Sequence, residues 1–158
     1  MRKFLSGGLA VFAGVVSVPA PGSLHAERSP APQRRQADGR IERLKAFFAK
    51  FDCPAKEYSG DFIVAAERNN LDWRLLPSIS YLESSGGKTA KNNNLFGWDC
   101  GRAAFSSAAA SIHEVGRRLG RSRLYRSKTL DQLLATYNPV GDYAEKVKRI
   151  MESIAPAR

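Results

Sequence analysis

Between residues 40 and 154 apolar side chains recur at helical spacing in a succession of segments, and nowhere do they alternate long enough to make a strand. Ile41, Leu44, Phe47, Phe48 and Phe51 fall at i, i+3, i+6, i+7 and i+10, which predicts an amphipathic helix over 40–51, ended by Cys53-Pro54. Its apolar face is expected to pack on the domain rather than on a membrane. Over 58–70 a second helix would turn Phe62, Ile63, Ala65 and Ala66 inward and Glu67, Arg68 and Asn69 outward. Trp73, Leu76, Ile79 and Leu82, with Leu75 beside them, give a third, for which Asp72 is the expected N-cap. Pro77 lies early enough to be tolerated there. Ile112, Val115 and Leu119 form the apolar side of a helix over 106–119, with Gly120 as its expected C-cap. Thr129 with Gln132 and Asp142 with Glu145 fit capping boxes. The first opens a short helix ending near Ala135, the second a last helix burying Tyr143, Val147, Ile150, Met151 and Ile154. The fold class is mainly α.

The third helix ends unusually. It delivers Glu83 at its C-terminus, just before Ser84, Ser85, Gly86 and Gly87, which do not continue a helix. A carboxylate there faces the negative end of the helix dipole beside an apolar stripe, so its pKa should rise and the group could hold a proton near neutrality. Such a group suits general acid catalysis. The alternative is a solvated surface glutamate. The residues that follow, Asn92, Asn93, Asn94, Leu95, Phe96, Gly97 and Trp98, favour the catalytic reading. Amides bond sugar hydroxyls and N-acetyl groups, and flat rings cover pyranose faces, although asparagine runs also simply make loops.

The flanking composition adds a setting. Met1 to Ala26 reads as an export signal: Arg2 and Lys3 are its basic start and Leu5 to Val18 its apolar stretch, with cleavage expected after Ala26. That stretch is short of the about 20 residues that span a bilayer, so an uncleaved anchor is the lesser reading. Residues 27–39 carry three prolines or glycines and several charges without apolar periodicity, and are expected to be a disordered linker. One domain, 40–155, should follow, in a periplasmic or secreted protein with no membrane span after processing. The 158 residues carry a net charge of +10; without the signal, 23 basic residues oppose 15 acidic ones, a net +8. Arg117, Arg118, Arg121, Arg123, Arg126 and Lys128 concentrate this charge. They are either a solvated face or an electrostatic contact with anionic envelope polymers, and no nucleic-acid partner is expected. Cys53 and Cys100, an isolated pair in an exported chain, are expected to form a disulfide closing a loop of about 48 residues, worth roughly 4 kcal/mol. A catalytic thiol paired with His113 is the competing reading, and no zinc-ligand spacing exists.

Three motifs carry a resemblance. Glu83-Ser84-Ser85-Gly86-Gly87-Lys88 followed by Asn94-Leu95-Phe96-Gly97 resembles the core of bacterial N-acetylglucosaminidase autolysins of the lysozyme-like superfamily. Ala135-Thr136-Tyr137-Asn138 is similar to the A-x-Y-N segment of soluble lytic transglycosylases, and Tyr143-Ala144-Glu145-Lys146-Val147 resembles the Y-A-x-K-V helix of the glucosaminidases. Together they span about residues 58–153, in the family's order. The resemblance implies a small lysozyme-like helical domain with a groove loop, acting on peptidoglycan glycan strands as a monomer and without a cofactor. It makes Glu83 the catalytic acid, with Tyr137 hydrogen-bonded near it, and it places Ser84, Asn94, Phe96, Trp98 and Asn138 in the substrate groove. The chain lacks the G-L-M-Q segment of the transglycosylases, and Trp98-Asp99-Cys100 is not their usual continuation. The bond cut and the product therefore stay open.

Counting acids narrows the mechanism. Two-carboxylate glycoside cleavage needs a second Asp or Glu across the scissile bond. Of the acids after Glu83 only Asp99 lies in the groove loop, where a loop residue oriented by the neighbouring cysteine is the plainer reading. A single-acid scheme fits better: Glu83 protonates the glycosidic oxygen, then serves as base while the sugar's own 6-hydroxyl closes a 1,6-anhydro ring. The glucosaminidase resemblance points to hydrolysis instead. A different class, a non-catalytic peptidoglycan-binding or secretion-accessory protein of the same fold, is the alternative to both.

Overall fold

In the computed structural model, which describes residues 38–156, all regular structure is helical. The first 37 residues, and with them the expected signal segment and nearly all of the expected linker, lie outside the described residues. Asp38 and Gly39 belong to the domain instead: the Asp38 side chain accepts a hydrogen bond from the Arg40 backbone N–H and caps α1, Gly39–Lys50. A 3₁₀ turn, Pro54–Tyr58, leads into α2, Ser59–Arg68. After it come α3 (Leu75–Ser84), α4 (Ala108–Arg121), α5 (Leu130–Tyr137) and α6 (Tyr143–Ile154). No described helix is long and apolar enough to cross a membrane.

The periodic apolar positions do the packing. Leu44, Phe47 and Phe48 of α1, Phe62, Ile63, Ala65 and Ala66 of α2, and Ile112, Val115 and Leu119 of α4 are buried in one core. The centre of that core is α3, in which every residue from Leu75 to Ser80 is buried. Burial on all sides, rather than along one stripe, follows from its position against both α2 and α6. Arg74 at its start donates to the Ala155 carbonyl at 2.7 Å, which ties the head of α3 to the tail of α6.

Several local expectations are corrected. Gly120 does not cap α4 but lies inside it, where a Cβ would fall 2.2 Å from the Asn69 carbonyl oxygen. Its missing side chain lets α4 approach the end of α2. Asn69 accordingly points inward, not outward, and donates to the Ala65 carbonyl at 2.8 Å. Asp72 does not cap α3 directly: it bonds the Arg74 N–H one residue before the helix begins. The capping box at Thr129 and Gln132 forms in both directions, and α5 runs on to Tyr137. The one at Asp142 does not form; Asp142 pairs with Lys146, Nζ to Oδ1 2.9 Å, a turn further on.

Candidate active site

Glu83 is the penultimate residue of α3, at the helix end where backbone carbonyls are left over. The helix stops because Ser85, Gly86 and Gly87 all adopt positive φ, and the chain turns away over residues 85–107 without regular structure. That segment returns at Phe96 and Gly97 to face the carboxyl it has just left. A Cβ at Gly97, whose φ is +59°, would lie 2.8 Å from Glu83 Oε2, so only glycine permits this approach. The other oxygen, Oε1, accepts a hydrogen bond from the Tyr143 hydroxyl at 2.8 Å.

The electrostatics run two ways. Burial of Glu83 between α3, α6 and Gly97 pushes its carboxyl pKa upward, and the Tyr143 hydrogen bond, which favours the carboxylate, pulls against this. The net direction is up. Tyr143 is pushed above the usual phenol range by burial and by its bond to Glu83, so it stays a protonated donor at neutral pH.

The expected partner of Glu83 was Tyr137; the structure assigns that hydrogen bond to Tyr143, the first residue of α6. Tyr137 donates to the Phe96 carbonyl, and its ring stacks on that of Tyr143 with centroids 6.0 Å apart and planes 17° apart. It supports the carboxyl indirectly. The signal for Tyr143 was already present in the sequence: a tyrosine on a buried stripe needs a partner for its hydroxyl.

Glu83 lies at the meeting of two cavities. The larger, about 830 Å³, is lined by Phe96, Trp98, Arg118, Tyr125, Tyr137 and Asn138 among others. The smaller, about 260 Å³, continues past Glu83 along Asn138, Val140, Asp142 and Tyr143. Three of the expected groove residues, Phe96, Trp98 and Asn138, thus line it, although Phe96 is almost wholly buried. Ser84 and Asn94 do not face it. Ser84 is buried and its hydroxyl donates to the Leu95 carbonyl at 2.8 Å while accepting from the Gly87 N–H. Both ends of the Asn94 amide are committed to the backbone of Trp98. These residues shape the groove wall rather than touch its contents. Asn92 and Asn93 adopt left-handed backbone and tie the loop to Phe105.

Asp99 also lines the larger cavity, but it is exposed and pairs with Arg102 at 2.8 Å. The disulfide expectation is not met: both thiols are free, Cys100 exposed on the groove loop and Cys53 buried. Cys53 is fixed elsewhere, beneath Gly86, where a Cβ would sit 2.9 Å from the sulfur. His113 does not face either thiol; its Nε2 lies 3.0 Å from Asp61 on α2. Tyr125, unremarked in the sequence, and Arg118, read there only as part of a basic run, complete an aromatic wall around Trp98. The indole lies 6.4 Å from the Tyr125 ring and 5.8 Å from the Tyr137 ring, with the Arg118 guanidinium 5.0 Å above it.

Comparison with protein-family models, with curated proteins and with solved structures returns no match. The functional reading therefore rests on these residues.

Proposed function

We propose that this domain is a lysozyme-like glycoside-cleaving enzyme acting on the N-acetylglucosamine/N-acetylmuramic acid backbone of peptidoglycan, with Glu83 as general acid and then base. One observation carries the proposal: a half-buried carboxyl, with its pKa raised, lies where two cavities meet along one aromatic-walled groove. A chain substrate would extend to both sides of the acid, as cleavage inside a polymer requires. Trp98, half-buried and backed by Tyr125, offers a face for a sugar ring and Asn138 an amide for its polar groups.

The single-acid scheme is favoured. Glu83, whose pKa burial raises, delivers its proton to the leaving glycosidic oxygen as the C1–O bond breaks. The resulting carboxylate, still bonded by Tyr143, takes the proton of the muramyl 6-hydroxyl as that oxygen closes on C1. No activated water enters. Hydrolysis by two carboxylates would call on Asp99, which is solvated and neutralised by Arg102.

Purified peptidoglycan digested with the protein starting at Glu27, with Glu83→Gln as control, tests the reading by mass spectrometry. Soluble products ending in 1,6-anhydro-N-acetylmuramic acid, absent with the variant, are the expected result. Reducing N-acetylglucosamine ends would replace the single-acid scheme by hydrolysis. Sacculi bound but intact with both proteins would leave a non-catalytic binding module of the same fold.

A further inference from the structure

Arg118 is the one cation among the described residues lining the larger cavity, and its surroundings leave part of it unspent. Its Nε donates to Glu114 Oε1 at 2.7 Å, and its plane rests over the Trp98 ring. These two contacts fix the guanidinium from one edge and one face. Among the described residues the two terminal nitrogens have no hydrogen-bond partner. Nor is the charge cancelled: Glu114 is shared with Arg117, which takes it bidentately at 2.8 and 2.9 Å, so one carboxylate serves two guanidiniums. Of the acids lining the same cavity, Asp99 is already paired with Arg102 and Glu83 is bonded by Tyr143. A held guanidinium with free, parallel N–H groups at the rim of an aromatic cavity has the geometry that recognises a carboxylate.

We propose that Arg118 forms an anion subsite of the groove that binds a carboxylate carried by the glycan, and so selects acidic glycan over neutral glycan of the same backbone. This rests on the reading of the groove as a glycan site and adds to it the feature of the substrate being read. The carboxylate could belong to the lactyl group of a stripped muramyl residue or to an attached stem peptide. The recognising chemistry is the same, two N–H donors to two oxygens, and the sources are separable by experiment.

Binding, not turnover, tests it, so the outcome does not depend on catalysis. Affinities of the Glu83→Gln protein are measured by calorimetry for three ligands of matched length: a chitooligosaccharide, a peptide-free glycan with free lactyl carboxylates, and a stem-bearing muropeptide. The same titrations are made with Arg118→Gln and Arg118→Lys added. The expected result is that one or both acidic ligands bind roughly tenfold more tightly than the neutral one, that Arg118→Gln abolishes this preference, and that Arg118→Lys, a point charge without the fork, restores only part of it. Which acidic ligand shows the preference names the source. Equal affinity for all three with Arg118 present would overturn the subsite and leave the glycan reading standing. Equal loss for neutral and acidic ligands on substitution would also overturn it, reducing Arg118 to a prop for Trp98. Failure to bind any of the three would overturn both readings together.

Discussion

On one side of the groove Glu83, Tyr137 and Tyr143 stand on three helices, α3, α5 and α6; on the other, residues 85–107 form a wall with no helix or strand. The helical side is held by packing: buried stripes set each helix, and the carboxyl arrives where the end of α3 puts it. The loop side is held by its backbone. Nine of the twelve residues with left-handed φ among those described lie in this segment, and Ser84 and Asn94 clamp it by bonds to main-chain groups. The division matters for function. A side chain on a packed helix is positioned without further help, whereas a loop wall can approach a carboxylate closely only where a glycine, Gly97, removes the obstacle.

Substitutions on the two sides should therefore fail differently. The largest effect is expected for Glu83→Gln, a loss of peptidoglycan solubilisation by about a thousandfold or more, with the fold intact by circular dichroism. Its stability has a sign. Folding raises the Glu83 pKa, so the ionised carboxyl opposes folding at neutral pH and ceases to do so as pH falls below the ordinary carboxylate range. The glutamine variant should thus be more stable than the parent by up to about 1 kcal/mol at pH 7, with no gain near pH 3. A variant that is less stable at pH 7 would contradict the burial argument.

Next comes Gly97→Ala on the loop side. A methyl 2.8 Å from Oε2, on a backbone of φ +59°, must displace the carboxyl or the wall, and activity should fall about a hundredfold with a stability loss of about 1–3 kcal/mol. Activity retained at parental level would mean that the wall does not need to touch the acid. Asn94→Ala leaves the Trp98 N–H without its acceptor and the Trp98 carbonyl with the Ala103 N–H alone, which should cost about 2 kcal/mol in thermal or urea unfolding. Its kinetic effect should be about tenfold and reside in KM, because the acid itself stays in place.

Tyr143→Phe probes the helical side more gently. Removing a donor that favours the carboxylate raises the Glu83 pKa further, so the alkaline limb of the pH–rate profile should move to higher pH while the maximal rate falls several-fold. A limb that moves to lower pH would rule out the bond as described. Asp99→Asn should do least, under about threefold, since Asp99 is solvated and paired with Arg102. A loss comparable to that of Glu83→Gln would make Asp99 the second carboxylate of a hydrolase.

Much of the helical side is legible in the sequence and little of the loop side is. The stripes of α1, α2, α4 and α6 are local facts, read from spacing alone, and so is the arrival of Glu83 at a helix end before Ser85, Gly86 and Gly87. The Asn-rich run reads as a groove lining because amides bind sugars, yet the Asn94 amide turns inward to hold Trp98. Composition cannot tell a polar group that meets a ligand from one that satisfies its own backbone. The free cysteines teach the same lesson: an even pair in a chain read as exported favours a bridge, but Cys53 is buried under Gly86 while Cys100 lies exposed on the groove loop.

By itself the sequence determined that the domain is helical, where the helices lie, and that a carboxyl stands at the end of the most apolar one. Periodicity is set by each helix's own hydrogen bonds and by which of its faces must leave water. Only the tertiary structure decided that Tyr143 rather than Tyr137 holds Glu83, that Gly97 closes over it, and that Arg118 reaches the groove across Trp98. These are meetings between residues 14 to 60 positions apart, and they depend on the angle and rotation at which α3, α4, α5 and α6 pack. Shape complementarity across the whole core fixes that rotation, and no single segment encodes it.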